Sequence, residues 1–288
     1  MLDWVYPFPL RIANLSGAVS VAYTDIGEGS QTLLFLHGLG SYLKGWKKNI
    51  EVLQSNFRCI AIDFPGYGKS SKGNLPYGMK FFAQTVKEFI HHLNLDRVVL
   101  VGHSMGAQVA LTIAVTRPEF LEKLILIAPA GFETFTLAER DWFNSVYSPT
   151  LLKQISQDQL IRNFEINFSR FPEDARFMIE DRLKMRGTQE YDHFCELIPK
   201  CVQSMLQEPV FELLPYIIAP TLVIFGENDL LIPNKILHPL QNTFSIATLG
   251  TSRISGARLE MLRPCGHFAQ WECASAVNRS IQKFCLED

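Results

Sequence analysis

Val98-Val99-Leu100-Val101-Gly102-His103-Ser104-Met105-Gly106-Ala107 is the stretch on which the reading of the fold turns. Four aliphatic residues in a row suit a strand covered on both faces. Gly-x-Ser-x-Gly follows at once, and then a run of helical period over residues 108–116. Turning from strand to helix in so few residues forces the serine into a strained backbone conformation, and side chains at the two glycines would clash. The five-residue pattern alone arises by chance in roughly one chain in ten of this length. The strand before it and the helix after it therefore carry the inference.

Working outward, short apolar runs at 32–36, 58–62, 98–101, 124–127, 221–225 and 258–262 alternate with helical stretches at 46–53, 79–93, 108–116 and 274–284. That rhythm predicts an α/β fold, a mostly parallel sheet with helices on both faces. Residues 19–24 alternate like an antiparallel edge strand. The rhythm stops near residue 132, and residues 133–214 read as several helices with no strand between them. The expected organisation is a core of 1–132 and 215–288 interrupted by an inserted helical cap, 133–214, which starts where a strand's carboxyl end should open onto a site.

A serine hydroxyl needs a base to take its proton. His267, in Pro264-Cys265-Gly266-His267-Phe268, falls in a loop between the last strand and the last helix, at the same sheet edge as Ser104. His91 and His92 lie on a helix, His193 and His238 in segments of helical reading, and His37 and His103 in tight turns, where packing or scaffold roles are expected. The base needs a buried carboxylate to fix its tautomer. Asp229, in Gly226-Glu227-Asn228-Asp229, is the expected acid, with Glu227 as the alternative. The order Ser104, Asp229, His267 is neither that of the chymotrypsin type nor that of the subtilisin type. For the oxyanion, the backbone N–H groups of Met105 and of Leu39, in His37-Gly38-Leu39-Gly40, are the expected donors.

The composition, 47% hydrophobic and 19% charged, builds a core rather than a disordered chain. A net charge of −2 gives no basic footprint for nucleic acid. No apolar run is long enough for a membrane span, and Met1 to Leu10 lacks the pattern of a secretory leader, so a cytoplasmic location is the expectation. The six cysteines include no C-x-x-C pair and read as buried hydrophobes. No metal and no cofactor are expected, and the oligomeric state is left open.

His37-Gly38-Leu39-Gly40, the run Asp63-Phe64-Pro65-Gly66-Tyr67-Gly68-Lys69-Ser70, the serine turn, the segment 226–233 and Gly266-His267 together resemble the α/β-hydrolase family, over nearly the whole chain from about residue 18. The resemblance implies an eight-stranded, mostly parallel sheet with a helical lid after the sixth strand, a Ser-Asp-His triad, no metal, and a stabilising rather than catalytic Asp63. Serine at the elbow separates the chain from the dehalogenase and epoxide hydrolase branches, which use aspartate there. Gly266-His267-Phe268-Ala269-Gln270-Trp271-Glu272 is similar to the meta-cleavage-product hydrolases, which split carbon–carbon bonds, whereas His37-Gly38-Leu39-Gly40-Ser41-Tyr42 departs from their Gly-Pro-Gly type of loop and suits carboxylesterases. The expected activity is hydrolysis of an ester-like bond of a small acyl substrate through an acyl-enzyme on Ser104. Trp142, Phe143 and Phe164 of the lid are expected to form the acyl pocket. Carbon–carbon hydrolysis, a cofactor-free perhydrolase or haloperoxidase, and a non-catalytic ligand sensor are the alternatives.

Overall fold

A computed structural model describes residues 5–287. Met1 to Trp4 and Asp288, which the leader reading and the outer domain limits include, lie outside the described residues.

Eight strands form one sheet in the order β1-β2-β4-β3-β5-β6-β7-β8. They are β1 (Arg11–Asn14), β2 (Ser20–Ile26), β3 (Thr32–Leu36), β4 (Arg58–Ile62), β5 (Val98–His103), β6 (Leu121–Ile127), β7 (Thr221–Gly226) and β8 (Arg258–Leu262). Every pairing from β4 to β8 is parallel, and β1 and β2 are antiparallel. The strand read at 19–24 is β2, but it is not the edge. The edge is β1, which the sequence reading missed: three of its four residues are exposed, so hydrophobic patterning gives it no signal.

Alternate residues of each central strand feed two cores, the pattern of a sheet buried on both faces. Leu34, Leu36, Leu100, Leu126 and Phe225 pack beneath α2 (Met79–His92), α3 (Met105–Ala114) and α9 (Thr243–Ser252). Leu33, Phe35, Val99, Val101 and Ile224 pack on the other face against α1 (Lys47–Leu53) and α11 (Ala274–Leu286). Helix α9 also escaped the sequence reading. Its Thr, Ser and Gly content gives weak intrinsic propensity, and a capping box between Asn242 and Ser245 starts it.

Between β6 and β7 the chain forms α4 (Leu137–Val146), α5 (Pro149–Gln154), α6 (Gln157–Glu165), α7 (Arg176–Met185) and α8 (Gln189–Gln207), with no strand among the described residues. This segment packs on the loop that follows β8. Phe168, Ala175 and Met178 form a small core with Phe268 and Trp271. The Glu272 carboxylate ties the two together, accepting from the N–H groups of Ser169 (3.0 Å), Arg170 (2.9 Å) and Gly266 (2.7 Å). A last short helix, α10 (Ala269–Glu272), carries that carboxylate. No helix among the described residues is long and apolar enough to cross a membrane.

The chain leaves β3 for β4 on one side and returns to β5 on the other, so the connections diverge between β3 and β5. Open α/β sheets bind ligands at such a point, beyond the carboxyl ends of the strands. Register places Leu36 beside Gly102, which brings the loops after β3 and β5 together there.

Candidate active site

Ser104 sits at φ 51° and ψ −116°, a region that L-residues rarely adopt. The two flanking glycines are demanded by contact. A Cβ on Gly106 would lie 2.2 Å from the Leu36 carbonyl oxygen, and one on Gly102 would lie 2.5 Å from the Ala107 Cα. The Ser104 carbonyl accepts from the N–H groups of Ala107, Gln108 and Ala130 at 3.0–3.2 Å, and its own N–H donates to Ile127 at 3.0 Å. The turn is thus pinned while the hydroxyl faces a cavity.

Asp229 and His267 arrive from the ends of β7 and β8. His267 Nδ1 lies 2.7 Å from Asp229 Oδ2, and both side chains are buried. The other oxygen of Asp229 accepts from the N–H groups of Leu231 (2.8 Å) and Ile232 (3.0 Å). An ionised carboxylate only accepts, so the proton of a neutral His267 resides on Nδ1 and Nε2 keeps its lone pair. Glu227 instead faces Arg263 at 3.3 Å, half exposed. The Ser104 hydroxyl makes no hydrogen bond to His267 within the distance limit for one. Both residues line one cavity of about 500 Å³, with Leu39, Phe143, Met205 and Leu206.

The N–H groups of Leu39 and Met105 donate to no protein acceptor among the described residues. The loop that carries Leu39 is held from below by His37, whose Nε2 accepts from the Phe64 N–H (3.1 Å) and whose Nδ1 donates to the Gly38 carbonyl (2.9 Å). Burial lowers the pKa of His37 to about 4, so this clamp is neutral. Asp63 serves the neighbouring turn, accepting from Leu43 N–H (2.8 Å), Lys69 N–H (3.0 Å) and the Tyr6 hydroxyl (2.6 Å). Burial pushes its carboxyl upward against those donors.

A second cavity, of about 240 Å³, shares Leu39 and Tyr147 with the first and is lined by Phe164, Phe194 and Arg182. Of the three lid aromatics expected at the site, Phe143 lines the Ser104 cavity, Phe164 lines the second, and Trp142 lines neither, stacking edge-on to Phe143 at 5.2 Å.

Sequence reasoning missed Arg182. Its Nη2 donates to the Gly40 carbonyl at 2.5 Å, and its guanidinium stacks 3.5 Å from the Phe194 centroid. Loss of solvent lowers its pKa to about 10, which leaves it charged at neutral pH. No carboxylate pairs with it among the described residues. The adjacent Asp181 is engaged by Lys44 (3.1 Å) and the Tyr42 hydroxyl. In sequence Arg182 is one of several charged residues of a helical stretch; in the fold its neighbour Glu180 is exposed while Arg182 lines the second cavity.

His238, too, was misread. It lies in a turn-rich loop between β7 and α9, not in a helix, and its imidazole bridges Glu133 (2.5 Å) and Glu139 (3.1 Å). Among the described residues no group of three His, Cys, Asp or Glu is placed to hold a metal ion.

A serine on a strand-to-helix turn, an Asp-His pair from the last two strands and this sheet order define a class, and residues 31–274 match the family model described as alpha/beta hydrolase fold: the chain belongs to the α/β-hydrolase family. It is 30% identical, over 96% of its length and 95% of the relative's, to 2-hydroxy-6-oxononadienedioate/2-hydroxy-6-oxononatrienedioate hydrolase 1 of Pseudomonas putida. Among solved structures it resembles a "probable hydrolytic enzyme" of Pseudomonas aeruginosa PAO1 (TM-score 0.86, 22% identity, 99% of this chain and 96% of that one). It also resembles an esterase of Exiguobacterium antarcticum (TM-score 0.78, 23% identity, 95% and 98%). At those identities the structural likenesses speak for the fold alone.

Proposed function

We propose that this hydrolase uses Ser104 as nucleophile, His267 as base and Asp229 as its orienting acid to cleave a carbon–carbon bond beside the ketone of a small, carboxylate-bearing keto acid. The observation that carries the choice of substrate is Arg182. A guanidinium facing a cavity beside the oxyanion loop, with no carboxylate of the protein paired to it among the described residues, favours an anionic ligand. A plain apolar ester makes no use of that charge. The relatives named for an oxo-dienedioate act on a molecule of this chemistry.

In this reading His267 Nε2 takes the Ser104 proton as the hydroxyl oxygen adds to the ketone carbon. The N–H groups of Leu39 and Met105 hold the resulting oxyanion, each contributing about 3–4 kcal/mol. Collapse breaks the carbon–carbon bond. Its electron pair passes into the conjugated keto-acid fragment, which in this reading extends past Leu39 and Tyr147 into the second cavity, where Arg182 faces the growing negative charge, and a proton returned from His267 completes that product. Water activated by His267 then releases the acyl group from Ser104 as a carboxylic acid. Residues 133–214 act as the cap that supplies Arg182 and Phe143.

The test is an activity-based fluorophosphonate label with peptide mapping, followed by a panel of dienoic keto acids and short p-nitrophenyl esters. The label is expected on Ser104, and Ser104→Ala is expected to lose label and turnover by several orders of magnitude. A keto acid should exceed every ester in kcat/KM. If the label maps to Ser104 and esters lead instead, carbon–carbon cleavage is wrong. Ester hydrolysis by the same nucleophile then stands, and the apolar wall of Phe143, Met205, Leu206 and Phe211 favours it.

A further inference from the structure

His103, the residue before the nucleophile, touches the loops that carry Leu39 and His267. Its Nε2 lies 3.0 Å from the His267 backbone carbonyl. Its ring lies 4.9 Å from the His267 ring and 4.6 Å from the Phe268 ring, centroid to centroid. On the other side it abuts the oxyanion loop so closely that a Cβ on Gly38 would lie 2.8 Å from its Nδ1. The side chain is fully buried.

The sheet gives this contact its importance. Strands β5 and β8, which lead to Ser104 and to His267, are separated by β6 and β7, so no ladder bond joins their loops directly. His103 supplies the missing tie. A carbonyl only accepts, so Nε2 must carry the proton. Burial, reinforced by the neighbouring His267 imidazole, keeps the pKa of His103 well below 6.5, so the ring is neutral with its one proton committed to that bond. Its Nδ1 then meets no donor among the described residues. An orphaned buried acceptor is a cost that an apolar side chain of similar size would avoid. The residue is therefore a poor filler, and the N–H is what the position requires.

We infer that His103 is a positioning residue for the base: its Nε2–H holds the His267 peptide carbonyl, and so fixes where the His267 imidazole stands relative to Ser104. The inference rests on the assignment of Ser104 and His267 as nucleophile and base. It places His103 outside the reacting atoms, with its effect on the geometry of proton transfer rather than on substrate affinity.

Two substitutions separate donor from ring. His103→Phe keeps an aromatic ring against Phe268 and removes the N–H; His103→Gln removes the ring and keeps an N–H of similar reach. The rate of fluorophosphonate labelling at Ser104 reads the chemistry without a substrate, and kcat, KM and the thermal midpoint are measured beside it. His103→Phe is expected to slow labelling and kcat by about 100-fold, as small misplacements of a catalytic group do, with KM changed less than about threefold. His103→Gln is expected to recover most of that loss. If the Phe chain does not fold, His103→Leu replaces it in the same comparison. Labelling and turnover by the donor-less variant within about threefold of the parent overturn the inference, and so does a Gln variant as slow as Phe. A parent chain that takes no label at Ser104 overturns the nucleophile assignment instead, a different and separable result.

Discussion

His267 Nδ1 and Asp229 Oδ2 meet at 2.7 Å, and the second Asp229 oxygen is held by two backbone N–H groups, so the carboxylate cannot turn away from the imidazole. An amide at this position can present its NH2 to Nδ1, which then becomes an acceptor and moves the proton to Nε2, where Ser104 needs a lone pair. Asp229→Asn is accordingly expected to lower kcat by about four orders of magnitude with little change in fold. Stopped-flow turnover and labelling rate check this. A loss under tenfold would mean that Asp229 does not orient the base.

The backbone of Ser104 gives a stability prediction independent of chemistry. At φ 51° and ψ −116° a side chain is strained by about 1–3 kcal/mol, and glycine is not. Glycine returns part of this by loosening the unfolded chain, by about 0.4–1 kcal/mol. Ser104→Gly should therefore be more stable than Ser104→Ala by about 1 kcal/mol, with both inactive. Denaturant midpoints of the two variants decide it, and a Ser104→Gly variant less stable than Ser104→Ala by the unfolded-chain effect alone, about 0.4–1 kcal/mol, would show that no strain is stored at the turn.

What was legible in the sequence followed from signals that act locally. The glycines around Ser104 announce a close backbone approach, which the Leu36 carbonyl confirms, and the runs at 32–36 and 58–62 coincide with strands because burial leaves nearly unbroken apolar stretches, whereas the run at 258–262 is the edge strand β8, only partly buried and carrying Arg258 and Glu260. Asp229 was separable from Glu227 only as a choice, and geometry distinguishes them: one is buried against His267, the other half exposed toward Arg263. Arg182 was illegible for a physical reason. Whether a charged residue on an amphipathic helix faces water or a cavity depends on how the inserted helices lie over the sheet, which periodicity does not encode. His103 was legible as part of a turn, but its tie to a residue 164 positions away was not.

Arg182 makes the anionic-substrate reading measurable. A hydrogen bond to a charged group contributes about 1.5–3 kcal/mol, equivalent to roughly 10- to 150-fold in binding. Arg182→Gln is expected to raise KM for a keto acid by a factor in that range. For a neutral ester, KM should move far less, since only the Gly40 and Phe194 contacts within the protein are lost. Arg182→Lys should recover part of the effect, because charge is retained without the planar fork. Equal losses on acid and ester would assign Arg182 to support of the oxyanion loop rather than to substrate charge.

The imidazole of His238 joins the start of the inserted segment to the loop after β7, and its two partners impose a pH dependence. A neutral imidazole has one N–H, yet both nitrogens lie within hydrogen-bonding distance of carboxylates, Glu133 at 2.5 Å and Glu139 at 3.1 Å. Both bonds form together when the ring is an imidazolium. Burial opposes that charge, but the two carboxylates prevail and raise its pKa above 6.5. Above pH 6.5 the folded chain then holds a proton that the unfolded chain has released, so stability falls as pH rises. The contribution of His238 should be complete below pH 6.5 and vanish as pH climbs through the folded value. Burial also holds the Glu133 carboxyl above its usual range, an effect of the same sign that begins at lower pH, while Glu139, lowered chiefly by its Thr136 bonds, has the opposite sign in the acid range. Denaturant unfolding of the parent and of His238→Gln from about pH 6 to about pH 9 separates these contributions. The parent should lose stability across that range and the variant much less, whereas parallel curves would mean that His238 is not charged in the folded chain.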